Sequence, residues 1–228
     1  YQVTAETVTS ALRAGYRAFD TGAVYGYEAY LGQVLKELLP KYGLSCEDVF
    51  IISKLAPLDH GTRAKECTGL GGLHPGDSRH SEYRTQSWAT LEEFYASGQF
   101  RAIGVSNYNA KHIRELLMSC RVPPVVLQIE CQPKLIQREL RDLCTETGIH
   151  FQAYSSLGKG ALLREPEVMD IVRSCGRTPA QVLLRWAVQQ VQNAQVFDFQ
   201  LSAMDIMRLD ALNCGTRFCK QNSLSLKI

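Results

Sequence analysis

The sequence predicts an α/β fold built around a parallel β-sheet, and two patterns lead to this prediction. Short, uniformly apolar runs alternate along the chain with segments whose apolar residues recur at helical spacing. Apolar runs between helices are typical of strands that are buried on both faces of a parallel sheet. The repeated strand–helix order therefore indicates the α/β class.

Five apolar runs are predicted to be strands, and each ends in polar residues. The runs cover residues 16–20, 49–53, 102–106, 125–129 and 149–154. The polar residues at or just beyond their ends include Asp20, Lys54, Asn107, Gln128 and Tyr154. In barrels of parallel strands the active site lies at the carboxyl ends of the strands. These residues are therefore candidates for a functional site.

Seven helices are predicted from apolar faces and from residues that begin or end helices. The first carries Leu31, Val34 and Leu35 on one face and stops at Pro40. The others are marked by ends at Gly98, Gly148 and Gly176 and by starts at Asn109, Thr178-Pro179 and Ser202. Residues 57–84 are glycine-rich and show neither a strand nor a periodic helix, and so long a loop is uncommon in a compact domain.

The composition indicates one globular domain over residues 1–228 that acts on a small molecule. Hydrophobic residues make up 45% of the chain, and the formal charge is +2. The sequence contains no stripe of basic residues of the kind that binds nucleic acids. No apolar run has the length of a membrane span, and the start of the chain lacks a signal peptide. The chain begins with Tyr1 rather than Met, which suggests a fragment. We expect a cytoplasmic monomer.

The eight cysteines are predicted to be reduced and structural. They contain no Cys-x-x-Cys pair and have no histidine at zinc-finger spacing, so no metal site is predicted. Several lie on predicted apolar helix faces, where a thiol acts as a small hydrophobic group.

A series of motifs resembles the aldo-keto reductase family, and the motifs follow one another in the family's order. They are GYRAFDTGAVY at 15–25 with Glu28 and Leu31-Gly32, ISKL at 52–55, GVSNY at 104–108, VLQIE at 126–130, AYSSLG at 153–158, TPAQ at 178–181, LRW at 184–186 and the tail at 193–201. The resemblance implies a TIM-type (β/α)8 barrel. Here the barrel is expected to be incomplete, with about five of the eight strands recognisable and the first, fourth and eighth lacking.

The resemblance also implies a reaction, the reduction of aldehydes or ketones to alcohols by hydride transfer from NADPH, which becomes NADP. Tyr25 would be the general acid, with Lys54, paired to Asp20, as the nearby cation. An unperturbed phenol has a pKa of about 10, so a cation that favours the phenolate is needed for proton transfer at neutral pH. His74 is the candidate for the family histidine that orients the carbonyl, although the family's tryptophan does not follow it. Without these motifs, a tyrosine after a strand is more often a packing residue, and an Asp–Lys pair is usually a surface ion pair.

For the cofactor, the resemblance implies a set of seven residues that contact NADPH. They are Ser106, Asn107 and Gln128 at the nicotinamide carboxamide, Tyr154 stacked on the ring, Ser155 and Leu157 near the pyrophosphate, and Asn193 at the adenine. The family block Gly-Val-x-x-(Leu/Ile)-Pro-(Lys/Arg)-Ser and a downstream Arg, which bind the 2′-phosphate, have no counterpart before Asn193. We therefore expect NADPH affinity to be severely weakened.

Two functional hypotheses remain at this stage. The first is an active or weakly active carbonyl reductase. The second is a catalytically inactive aldo-keto reductase-like protein with a binding or regulatory role, or a truncated isoform or pseudogene product. Binding of NADPH would separate the two.

Overall fold

The computed structural model describes residues 4–55, 80–190, 199–219 and the strand Ser225–Lys227. The helices are α1 Ala5–Arg13, α2 Glu28–Leu38, α3 His80–Ala96, α4 Ala110–Ser119, α5 Arg138–Thr147, α6 Pro166–Cys175, α7 Pro179–Gln190 and α8 Ala203–Asp210. The strands are β1 Ala18–Asp20, β2 Phe50–Ile52, β3 Gly104–Ser106, β4 Val126–Glu130, β5 His150–Tyr154 and β6 Ser225–Lys227. These elements fall into two compact units, which are described separately.

The first unit comprises Tyr1–Ile103, Ser119–Val122 and Ser225–Ile228. Its strands β1 and β2 are parallel, with Asp20 opposite Ile52. Helices α1 and α2 bury a common apolar cluster, in which Val8 and Leu12 meet Leu31, Val34 and Leu35. Complete burial of a valine or leucine side chain contributes about 1.5–3 kcal/mol, so this cluster is the main source of cohesion around the β1–β2 pair.

Helix α3 begins earlier than the sequence predicts. The stretch 57–84 was expected to lack a helix, but the helix already includes residues 80–84. Its first turns have no apolar stripe and carry polar side chains instead. These side chains form hydrogen bonds within the helix: Thr85 donates to the Ser81 carbonyl, and Gln86 donates to Glu82. Periodicity therefore could not reveal this start. Residues 57–79 of the same stretch lie outside the described residues.

The second unit comprises Gly104–Met118 and Pro123–Leu224. Strand β4 lies between β3 and β5, and all three are parallel. Gly104 permits the close approach of β3 to β4, because a Cβ atom at this position would lie 2.4 Å from Cγ1 of Val126. The indole of Trp186 on α7 is fully buried and donates to Asp210 at the end of α8 at 2.8 Å.

All five predicted strands occur, with small changes at their ends, and so do the seven predicted helices. Helix α1 and strand β6 were not predicted. No helix in the described part of the chain is both long enough and apolar enough to cross a membrane. All described cysteines are free thiols. A single domain over residues 1–228 stays a prediction.

Candidate active site

Asp20 and Lys54 come together because β1 and β2 are parallel neighbours. Asp20 is the last residue of β1 and pairs with Ile52 in register, and Lys54 follows two residues later on the neighbouring chain segment. The Lys54 ammonium forms an ion pair with Asp20 Oδ1 and donates a second hydrogen bond to the Thr21 carbonyl at 2.8 Å. The Lys54 side chain is only 11% exposed, so its charge is held in one place.

Tyr25 lies beside this pair, at the end of a short 3₁₀ turn. The turn, Ala23–Tyr25, is joined to the end of β2 by a hydrogen bond from Ala23 N to the Lys54 carbonyl at 3.2 Å. Lys54 Nζ lies 5.2 Å from the centroid of the Tyr25 ring. The same ring stacks on Tyr27, with 5.7 Å between the ring centroids. Tyr25 is 49% exposed.

A further contact anchors the end of β2. The hydroxyl of Ser53 donates to Glu28, the first residue of α2. Since Ser53 precedes Lys54, this bond ties the start of α2 to the strand end that carries the cation. The first unit therefore assembles a carboxylate, an ammonium group and a solvent-accessible phenol.

The second unit brings four of the predicted cofactor residues together at its strand ends. Ser106 pairs with Gln128 in the parallel register, and both are buried. Asn107 has φ of +62°, an αL conformation that asparagine tolerates, and its N–H donates to the Gln128 carbonyl at 2.9 Å. The hydroxyl of Tyr154 donates to Asn107 Oδ1, also at 2.9 Å. The strand ends of the second unit thus bring together two amide side chains, a hydroxyl and an aromatic ring.

Tyr154 is unsuited to give up its proton. Burial, with smaller electrostatic contributions from Cys219 and Glu130, raises the pKa of Tyr154 to about 12. The phenol therefore stays protonated and remains a hydrogen-bond donor to Asn107. The next residue, Ser155, has φ of +58° and accepts a bond from the Cys219 thiol at 3.4 Å. Leu157 follows in the turn that Gly158 N closes onto the Ser155 carbonyl.

Two predicted site residues lie outside the described residues, His74 and Asn193. The structure also adds residues that the sequence reasoning left out. Glu130, at the end of β4, accepts hydrogen bonds from the backbone N–H groups of Phe218 and Cys219. In the sequence, Glu130 was noted only as part of the VLQIE motif. Its position as a glutamate at the end of an apolar strand could have identified it as a candidate site residue.

Comparison with known proteins decides the family. A sequence model described as the aldo/keto reductase family matches residues 1–86 and 73–213, which together span most of the chain. The chain belongs to the aldo/keto reductase family. Two proteins of Bacillus subtilis (strain 168) are similar to this reductase. An uncharacterized oxidoreductase is 36% identical and a glyoxal reductase is 35% identical; the alignments cover 92% and 93% of this chain and 84% of each relative.

The reductase is shorter than its relatives within the aligned region. The alignment with the first of these relatives is 238 positions long, which exceeds the length of the whole chain, although only 92% of the chain takes part in it. Some residues of the relative within the aligned region therefore have no counterpart in this chain. A solved aldo-keto reductase in complex with NADPH superposes with a TM-score of 0.81 at 27% identity, over 95% of this chain and 80% of that one. The fold class is thus that of the (β/α)8 barrel in a shortened form, as predicted, and the family uses NADP(H).

Proposed function

We propose that this reductase is an NADPH-dependent oxidoreductase that converts aldehydes or ketones to alcohols, with Tyr25 as the general acid. The observation that carries the proposal is the placement of the Lys54 ammonium against both Asp20 and the ring of Tyr25. An ammonium group beside a phenol stabilises the phenolate, so it lowers the free-energy cost of releasing the phenolic proton.

The proton path follows from these three residues. Tyr25 Oη donates its proton to the carbonyl oxygen of the substrate, and a proton from water later restores the phenol. Lys54 carries the positive charge that balances the transient phenolate. Asp20 holds Lys54 through the ion pair and keeps its ammonium close to the ring. NADPH, held by the residues of the second unit, would supply the hydride for the carbonyl carbon.

The second unit would hold the nicotinamide. Ser106, Asn107 and Gln128 supply donors and acceptors for the carboxamide, and Tyr154 supplies a ring for stacking. Ser155 and Leu157 would lie near the pyrophosphate and Asn193 near the adenine. His74 is proposed as the group that orients the carbonyl. A monomeric state and a cytoplasmic location remain predictions from the sequence.

A small aldehyde is the substrate class to test first. One relative is named a glyoxal reductase, and the Tyr25 side chain is part of the exposed surface. Glyoxal and a larger aromatic aldehyde therefore form a suitable pair of probes.

The test is NADPH oxidation by the full chain at millimolar NADPH, with glyoxal as substrate. We expect Tyr25→Phe to reduce turnover by about 100-fold or more, because general acid catalysis contributes factors of this size. Tyr30→Phe is the matched control, since Tyr30 is a similarly exposed tyrosine on α2, and it should turn over like the wild type.

Equal turnover of the wild type and Tyr25→Phe would refute the proposed role of Tyr25. A wild-type chain that binds NADPH and shows no turnover with any carbonyl would favour the alternative, an aldo-keto reductase-like protein without catalytic activity.

A further inference from the structure

Glu130 is a fully buried carboxylate at the carboxyl end of β4. The residue has 0% relative exposure. One of its oxygens accepts the N–H of Phe218 at 2.7 Å and the other accepts the N–H of Cys219 at 3.1 Å. Among the ion pairs of the described residues, none involves Glu130. Within the described part of the chain, the groups that bond to its carboxylate are peptide N–H groups.

The hydrogen-bond pattern suits a carboxylate. Both oxygens of Glu130 accept N–H groups, and a carboxylate is an acceptor on both oxygens. Two peptide N–H bonds offset the cost of removing the charge from water, but they leave the net negative charge in place. A net charge in the protein interior acts over a longer distance than one in water, because the effective dielectric constant is lower.

This charge lies next to Tyr154. Glu130 and Tyr154 are register partners at the last position of the β4–β5 ladder, and Cys131 N donates to the Tyr154 carbonyl at 3.2 Å. The negative charge of Glu130 also contributes to the raised pKa of Tyr154, after burial and Cys219. The carboxylate is therefore close enough to influence a charge that sits on the Tyr154 ring.

One cation acts on the same ring with the opposite sign. The Arg217 guanidinium lowers the pKa of Tyr154, but Arg217 is exposed and its charge is screened by solvent. The buried carboxylate is not screened in this way, so we expect its field to be the larger of the two.

We propose that the Glu130 carboxylate biases the nucleotide site toward the oxidised cofactor. The inference rests on the proposed function, in which the nicotinamide stacks on Tyr154. The ring of NADP⁺ carries a positive charge and the ring of NADPH is neutral, while the rest of the two molecules is the same. A buried negative charge on the strand next to the stacking residue therefore stabilises the complex with NADP⁺ and leaves the complex with NADPH almost unaffected.

A purely structural role of Glu130 has to be separated from this electrostatic one. Glu130 also holds Phe218 and Cys219 at the strand ends, and loss of that anchor would affect both nucleotides. Gln132 provides the matched control. It is also fully buried, and its side-chain N–H donates to the Thr216 carbonyl at 2.8 Å, so it anchors the same segment without a charge.

The experiment compares the dissociation constants of NADP⁺ and NADPH for the full chain at low ionic strength, where charge effects are largest. In Glu130→Gln we expect the ratio Kd(NADP⁺)/Kd(NADPH) to rise by about threefold to thirtyfold. In Gln132→Leu both constants change together, and the ratio stays at the wild-type value. In Arg217→Gln the ratio falls, because a positive charge near the ring has been removed.

Each outcome has one meaning. A ratio in Glu130→Gln within about twofold of the wild type overturns the proposal, and so does an equal rise in Gln132→Leu. If Glu130→Gln does not fold, the wild-type ratio decides: a ratio Kd(NADP⁺)/Kd(NADPH) below one supports the proposal, and a ratio of one or more overturns it. A wild-type chain that binds neither nucleotide refutes the proposed function itself and this inference with it, whereas binding with an unchanged ratio refutes only the inference.

Discussion

The cysteines show how strongly the surroundings of a residue control its chemistry. Burial raises the pKa of Cys131 to about 12 and that of Cys144 to about 11. Cys214 is exposed, and hydrogen bonds with Thr216 lower its pKa below the usual thiol value. The reactive form of a thiol is the thiolate, so these three cysteines differ both in their exposure to a reagent and in how readily they form the thiolate.

Iodoacetamide labelling of the native chain at neutral pH should therefore modify Cys214 well before Cys131 or Cys144. The two buried thiols should react only after denaturant has unfolded the chain. Mass spectrometry of peptides taken over a time course measures the order of modification. Early labelling of Cys131 in the native chain would show that β4 is not packed as described.

Glu92 links two elements of the first unit. Its buried carboxylate on α3 accepts the N–H groups of Arg121 and Val122 at 2.6 and 2.8 Å, and it also accepts Arg121 Nε at 2.9 Å. Burial tends to raise the pKa of Glu92, but the hydrogen bonds from Val122 and Arg121 outweigh burial, so the pKa lies below its usual value. The ionised form is thus favoured in the folded chain.

Glu92→Gln should lower the free energy of unfolding by about 1–3 kcal/mol at neutral pH, the cost of disrupting buried hydrogen bonds to a charged group. Because the folded-state pKa is lowered, the stabilisation is complete above the ordinary carboxyl pKa and is lost as the pH falls through the folded value. The difference from the wild type should therefore shrink below about pH 4.5. Urea unfolding at pH 7 and at pH 4 measures it. Glu93→Gln, at an exposed neighbouring position, is the control, and an equal loss in both variants would contradict the role of Glu92.

At the scale of elements, the sequence predicted what depends on local pattern. The apolar runs located five of the six strands in the two sheets, and the polar residues at the ends of these five were the signal for Asp20, Lys54, Asn107 and Tyr154. The start of α3 was missed because its first turns are polar. The contacts of Glu130 could not be predicted, because its partners lie 88 and 89 residues away along the chain. A contact at that separation depends on the tertiary fold and leaves no periodic signal.

For the whole molecule, the β1–β2 pair predicts limited stability. Two-stranded sheets are marginal by themselves, and the apolar side chains of Phe50 and Ile51 on β2 are 39% and 45% exposed. We expect thermal unfolding to be broad and to begin below the range of about 45–65 °C that is typical of mesophilic domains. Calorimetry compared with near-ultraviolet circular dichroism tests this expectation. A single sharp transition within or above that range would contradict it.

The composition of the C-terminal third predicts how the whole chain selects its cofactor. Between Arg185 and Arg208 the sequence contains no lysine or arginine, although this is the region where the family resemblance places the cations for the 2′-phosphate. Charge-assisted hydrogen bonds contribute about 1.5–3 kcal/mol each. The loss of two or three of them corresponds to a weakening of NADPH binding by about a hundredfold or more.

The same loss should remove most of the preference for NADPH over NADH, because the two nucleotides differ only in the 2′-phosphate. We expect their dissociation constants to lie within about tenfold of each other, since each factor of ten needs 1.4 kcal/mol of selective contact. Titration of the full chain with each nucleotide, followed by cofactor fluorescence, measures both constants. Micromolar binding of NADPH with a preference of about a hundredfold or more over NADH would mean that cations elsewhere in the chain bind the phosphate. Arg185 and Lys220 are cations close to this region in the sequence, so Arg185→Gln and Lys220→Gln would then identify the residue that does so.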